Sequence, residues 1–88
     1  MSYSYQVERP GLFTEDGQVM FLKIRDHVKS LLSKAGAVRM QEATEKTTGS
    51  SWKMLACVDR LVELGELREV TVGQSVAGQH RVFVAGRE

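Results

Sequence analysis

The side chains best suited to binding chemistry in this sequence gather where a turn meets a helix: Ser50, Ser51, Trp52 and Lys53, within "TTGSSWKML". Serine hydroxyls beside the free backbone N–H groups of a helix start can hold a phosphate oxygen, and a lysine there adds a charge whose pairing with phosphate weakens as salt rises. Arg60 follows two turns later, and Arg81 lies in a β-rich segment beyond. Trp52 brings a large ring with one N–H donor. It suits stacking on a base, anchoring a protein interface, or lying beneath Tyr3, Tyr5 or Leu12 from the N-terminal end. No arginine stands at this helix start for a bidentate guanine contact.

Catalytic and metal chemistry find little support. A single cysteine, Cys57, forms no internal disulfide and by itself assembles no zinc or iron–sulfur site. His27 and His80 are far apart in sequence and neither has a Cys, Asp or Glu at metal-ligand spacing, so no metal and no cofactor are expected. There is no Walker-type glycine loop and no nucleophile with an adjacent base, and the chain is read as a non-enzyme. Cys57 is expected as a small core side chain, and Met20, Met40 and Met54 as gap-filling core.

Eighty-eight residues allow one domain with a simple core. With 42% hydrophobic and 26% charged residues the composition is that of a globular protein, and twelve basic against eleven acidic residues leave no bulk attraction to nucleic acid. Any such affinity has to come from local placement. Apolar runs such as Val19 to Leu22 are too short for a membrane span, and the opening "MSYSYQVERP" has neither a basic nor an apolar leader region. A cytoplasmic protein with no membrane partner is expected.

The elements that must position these residues follow from hydrophobic spacing. Residues 1–12, with Pro10-Gly11 and no helical period, read as an extended N-terminal arm, and residues 13–88 as the folded domain. From Thr14 or Asp16 as a cap, Met20, Phe21, Ile24, Val28, Leu31, Leu32 and Ala35 trace one face of a long helix that Gly36 ends. "AVRM" predicts a short strand. A brief helix follows over about Met40 to Thr47, then Gly49, then a third helix over about Ser51 to Leu64 stopped by Gly65. "LREVTV" and "QHRVFVA", joined by "GQSVAG", predict a β-hairpin.

In "MQEATEKTTGSSWKMLACVDRLVELGEL" and its surroundings, over about residues 14 to 85, the chain resembles the winged helix-turn-helix family. A short helix, a glycine turn, a longer helix ending "RLVELG" and a strand opening a wing carry the likeness. Many bacterial regulators of this class place a leucine, a glycine and a strand residue where Leu61, Gly65 and Leu67 stand here. One departure is that Glu45 occupies the position four before the turn glycine where the family has a small residue, Ala43 being six before it. A turn one or two residues longer than usual is expected. The resemblance implies an α+β fold of three helices, a C-terminal β-hairpin wing and a short strand after the first helix.

It also implies double-stranded DNA as partner, transcriptional regulation, a homodimer, and residues 51–64 as recognition helix. The DNA-binding residues would then be Ser50, Ser51, Trp52, Lys53, Arg60 and Arg81. Helical projection at 100° per residue sets Trp52, Ala56, Asp59 and Glu63 opposite the core stripe, where two acids would repel phosphate. The wing tip, Gln74 to Ala77, carries no charge. The alternative is therefore a winged-helix interaction or dimerisation module without DNA binding, gripping its partner through Trp52, Leu55 and Ala56.

Overall fold

The computed structural model describes residues 3–70 and 81–86. Over these residues the chain is an α+β fold of four α-helices, one 3-10 turn and a small antiparallel sheet. In chain order these are α1 (Tyr5–Glu8), a 3-10 turn (Arg9–Phe13), α2 (Glu15–Ala35), β1 (Ala37–Arg39), α3 (Met40–Thr44), α4 (Ser51–Glu63), β2 (Leu67–Val70) and β3 (Val82–Ala85). The wing-tip residues Gln74 to Ala77, and His80, lie outside the described residues.

The long helix starts and stops on local chemistry. The Thr14 hydroxyl oxygen accepts from the Gly17 backbone N–H at 3.1 Å, while Glu15 and Asp16 stand in the first turn against the positive end of the helix dipole. At the other end Gly36 takes a left-handed φ of 77° and returns its N–H to the Leu32 carbonyl, which closes the last turn. Gly17 is needed for another reason: a Cβ there would sit 2.1 Å from the Gly11 carbonyl oxygen. The 3-10 turn thus lies directly on the first turn of α2.

The three strands are arranged β1-β3-β2, both pairings antiparallel, with Val38 opposite Phe83 and Glu69 opposite Phe83 on the other side. Phe83, fully buried on the central strand, plants its ring under the helices together with Val38 and Leu67. The Met40 N–H donates to the Arg81 carbonyl at 2.8 Å, which continues the β1–β3 pairing into the start of α3. The Arg39 N–H donates to Glu42 Oε1 at 3.0 Å and satisfies one of the helix's unpaired donors.

One core joins all layers: Leu12, Phe21, Ile24, Val28, Val38, Met40, Ala43, Ala56, Cys57, Val58, Leu61, Leu67 and Phe83. Each large aliphatic side chain buried this way contributes about 1.5–3 kcal/mol. The core positions expected on α2 and α4 hold for Phe21, Ile24, Val28, Cys57, Val58 and Leu61.

Three expectations are corrected. Where the structure describes the N-terminal stretch it is not an extended arm: Tyr5–Glu8 and Arg9–Phe13 are helical, and Leu12 is buried in the core. This gives four α-helices in place of three. The helix beginning at Met40 ends at Thr44, earlier than its sequence suggests: the Glu45 N–H turns to the Glu42 carbonyl at 3.4 Å and the Thr47 N–H to the Thr44 carbonyl at 3.2 Å, three residues back instead of four. Finally, Ala56 is fully buried rather than turned outward, because the N-terminal segment packs on that side of α4.

Candidate nucleic-acid interface

The opening turn of α4 is built by its cap. Ser50, with extended backbone, accepts the Lys53 backbone N–H on its hydroxyl oxygen at 3.4 Å, and its carbonyl accepts the Met54 N–H at 3.0 Å. The Ser50 hydroxyl is therefore engaged in capping. Ser51 is exposed, and Trp52 and Lys53 are half-buried. The Lys53 stem runs past the 3-10 turn, where a Cβ on Gly11 would meet its Cε at 3.6 Å. Trp52 and Leu55 line an open groove with Met40, Gln41 and Thr44 of α3, of about 370 Å³.

Farther along α4 the surface is occupied from within the chain. Tyr3 donates its hydroxyl to Asp59 Oδ2 at 2.6 Å, and Tyr5 donates to Glu63 Oε1 at 2.7 Å. Arg9 Nε and Arg60 Nη1 approach the same Glu63 carboxylate at 3.1 and 2.6 Å. The Phe13 ring receives both guanidinium groups, with Arg9 5.0 Å and Arg60 5.3 Å from its centroid. Arg81 Nη2 sits 2.7 Å from Asp59 Oδ1 and 2.8 Å from Glu69 Oε1.

These contacts shape the electrostatics. Hydrogen bonds from Tyr5, then Arg60 and Arg9, hold the Glu63 carboxyl down at about 2. Burial, followed by the Glu63 bond, pushes the Tyr5 hydroxyl up to about 12. Burial and the bond to Asp59 raise Tyr3 further still. The Arg81 bonds lower Glu69, and its bonds to Glu69 and Asp59 raise Arg81 against the opposing effect of burial. Both α4 acids are thus matched by cations or hydroxyls of the same chain.

The sequence-predicted site therefore divides. Ser51, Trp52 and Lys53 stand together at the opening turn, with Ser50 beneath them as cap. Arg60 and Arg81 are drawn into ion pairs. Of the alternative set, Trp52 and Leu55 share the groove with α3, and Ala56 leaves it for the core.

Comparison with family models, with curated proteins and with solved structures finds no significant match.

Sequence reasoning passed over two lysines. Lys23 of α2 and Lys46 of the turn line one hollow with Asp16, Thr47 and Thr48, immediately before Gly49. Neither these lysines nor Lys53 forms an ion pair with any described residue. The "EKTTGSS" composition held that signal, a lysine and four hydroxyls around a glycine, but Lys23 reaches it only through the fold. His27 Nε2 meets Glu45 Oε2 at 3.1 Å and ties α2 to the same turn. Cys57 is fully buried and burial lifts its thiol to about 11, which keeps it protonated and unreactive. Among the described residues, no three His, Cys, Asp or Glu side chains converge as a metal-binding group, and no helix is long and apolar enough to cross a membrane.

Proposed function

We propose that this chain is a winged helix-turn-helix domain that binds double-stranded DNA and acts in transcriptional regulation, with the opening turn of α4 presented to the major groove. The element order and the β1-β3-β2 sheet support the winged-helix reading. The observation that carries the DNA reading is the state of α4. Its later turns bury Cys57, Val58 and Leu61 in the core and tie Asp59 and Glu63 to the N-terminal segment, while its first turn keeps Ser51 exposed beside Lys53, which has no ion-pair partner among the described residues.

The acids that argued against DNA from sequence argue less strongly in the fold. Asp59 and Glu63 face Arg81, Arg9 and Arg60 at hydrogen-bonding distance, so their field on an approaching phosphate is reduced. Phosphate contacts fall to Ser51, Lys53, Lys46 and Lys23, and base-edge contacts to Ser51 and Trp52. Arg60 and Arg81 serve the fold and contribute little directly. A mobility-shift titration with pooled duplex fragments tests this: Ser51→Glu and Lys46→Ala weaken the shift, and an unchanged shift in both variants defeats the assignment.

A second reading rests on the groove between α3 and α4, whose Met40, Trp52, Met54 and Leu55 lining is largely apolar. A winged-helix interaction module would seat a partner's apolar side chain there. Trp52→Ala would then abolish partner binding that is indifferent to salt, which is the opposite of the DNA case.

A further inference from the structure

Among the described residues, four of the six exposed large hydrophobic side chains, Phe13, Val19, Leu22 and Leu64, lie on or beside α2, Val7 and Val70 being the other two. Phe13, Gln18 and Val19 line one shallow hollow, and Phe13, Gln18 and Leu64 line its neighbour. Leu22 lies one helical turn beyond Gln18 and Val19. The four apolar residues therefore form one continuous patch, centred on the outer face of α2, and patches of this kind mark association surfaces.

One pair of opposite charges beside that patch is placed symmetrically about Leu22 in the sequence of α2. Glu15 and Lys29 stand seven residues on either side of Leu22, and Gln18 and Asp26 four on either side. At 100° per residue Glu15 and Lys29 fall about 20° to opposite sides of the line through Leu22. All of Glu15, Gln18, Val19, Leu22, Asp26 and Lys29 are exposed. Two such helices laid antiparallel about a twofold axis through Leu22 would set Glu15 of each copy against Lys29 of the other, twice, and Gln18 against Asp26. A self-complementary face of this kind is what an isologous dimer requires.

The geometry points to a homodimer of this chain formed by antiparallel packing of α2 on α2 across Leu22, sealed by Phe13, Val19 and Leu64 and registered by two Glu15–Lys29 pairs. The occupant is a second copy because the charge order complements itself under reversal. Lys29 is available for it: its side chain is 62% exposed and its contact to Glu66 in the same chain is long, at 3.8 Å. This inference does not rest on the DNA reading: the two surfaces meet only at Val19, which also lines the Lys23–Lys46 hollow, and Leu22, Glu15 and Lys29 take no part in DNA binding.

The test is sedimentation equilibrium of the full chain and of Leu22→Glu, Glu15→Lys and Lys29→Glu, with circular dichroism confirming that each variant is folded. The intact chain sediments at twice its 9.8 kDa. Leu22→Glu is monomeric. Each charge reversal alone places like charges opposite twice and weakens the dimer about tenfold, from contributions of a few tenths to one kcal/mol per pair. Mixing the Glu15→Lys and Lys29→Glu chains matches both pairs again and restores association as a 1:1 heterodimer. A monomer throughout, a dimer that survives Leu22→Glu, or a mixture no tighter than its components overturns the proposal.

Discussion

Arg81 of the segment leading into β3 grips Asp59 of α4, with Nη2 2.7 Å from Oδ1, and the same guanidinium reaches Glu69 of β2 at 2.8 Å. Its backbone carbonyl meanwhile accepts the Met40 N–H, so one residue joins the sheet to both α3 and α4. With only 14% and 19% of the two side chains exposed, the Asp59–Arg81 pair is largely withdrawn from solvent. Asp59→Asn is expected to cost about 2 kcal/mol, the scale of a charge-assisted hydrogen bond. Urea denaturation measures it. A double-mutant cycle with Arg81→Ala should return a coupling above about 0.5 kcal/mol, whereas additivity would show the pair to be idle.

Removing residues 1–8 takes Tyr3 and Tyr5 from the α4 acids and strips the N-terminal helix from that side of the molecule. The truncated chain is expected to unfold at lower urea. It should also bind duplex DNA more weakly at low salt, because Asp59 and Glu63 lose hydroxyl partners and their charge becomes more visible to phosphate. Unchanged stability would show that the segment is not part of the fold's support.

Two pH limits follow from the same contacts. Glu63 has its carboxyl lowered from 4.5 to about 2, so the stability it adds is present above about 4.5 and lost as pH falls through 2. Tyr5 is raised from 10.0 to about 12, so its contribution is complete below 10 and lost as pH rises through 12. Glu63→Gln should flatten the acid limb of a stability-versus-pH curve, and Tyr5→Phe the alkaline limb. If either variant follows the parent curve in its own window, that contact does not hold the N-terminal segment.

Two glycine replacements should act by different routes. Gly17→Ala drives a methyl into the Gly11 carbonyl and must push the 3-10 turn off α2, at a cost of about 1–3 kcal/mol. Gly36→Ala meets nothing within 4 Å and is burdened only by its φ of 77°, at about 1 kcal/mol. Thermal unfolding of the two variants ranks them, and a reversal of the order would contradict the packing described at Gly17.

The long elements were legible because their signals are local. Phe21, Ile24 and Val28 repeat at helical spacing and Thr14 and Ser50 cap the helices they open, whereas the pairing of Val38 with Phe83 joins segments too far apart for any local signal. The N-terminal helices were not legible. Tyr3 and Tyr5 find Asp59 and Glu63 from 56 and 58 residues away, and no window of sequence contains both ends of such a bond. Ala56 was misplaced for the same reason: projection assumes one buried face, and α4 is covered on two. The opening-turn residues Ser51, Trp52 and Lys53 were found by composition, but the withdrawal of Arg60 and Arg81 into ion pairs depends on the fold.

The central claim is that α4's opening turn and its neighbouring lysines hold the DNA backbone. Fluorescence anisotropy of the intact chain with a labelled random-sequence duplex at about 50 and about 200 mM salt tests it most directly. Engagement of three phosphates through Lys23, Lys46 and Lys53 gives a log–log slope of about −2.7 and a loss of roughly forty-fold between the two salts. Lys53→Ala should reduce that slope by about one. No binding at the lower salt, or an affinity that does not change with salt, would contradict the assignment.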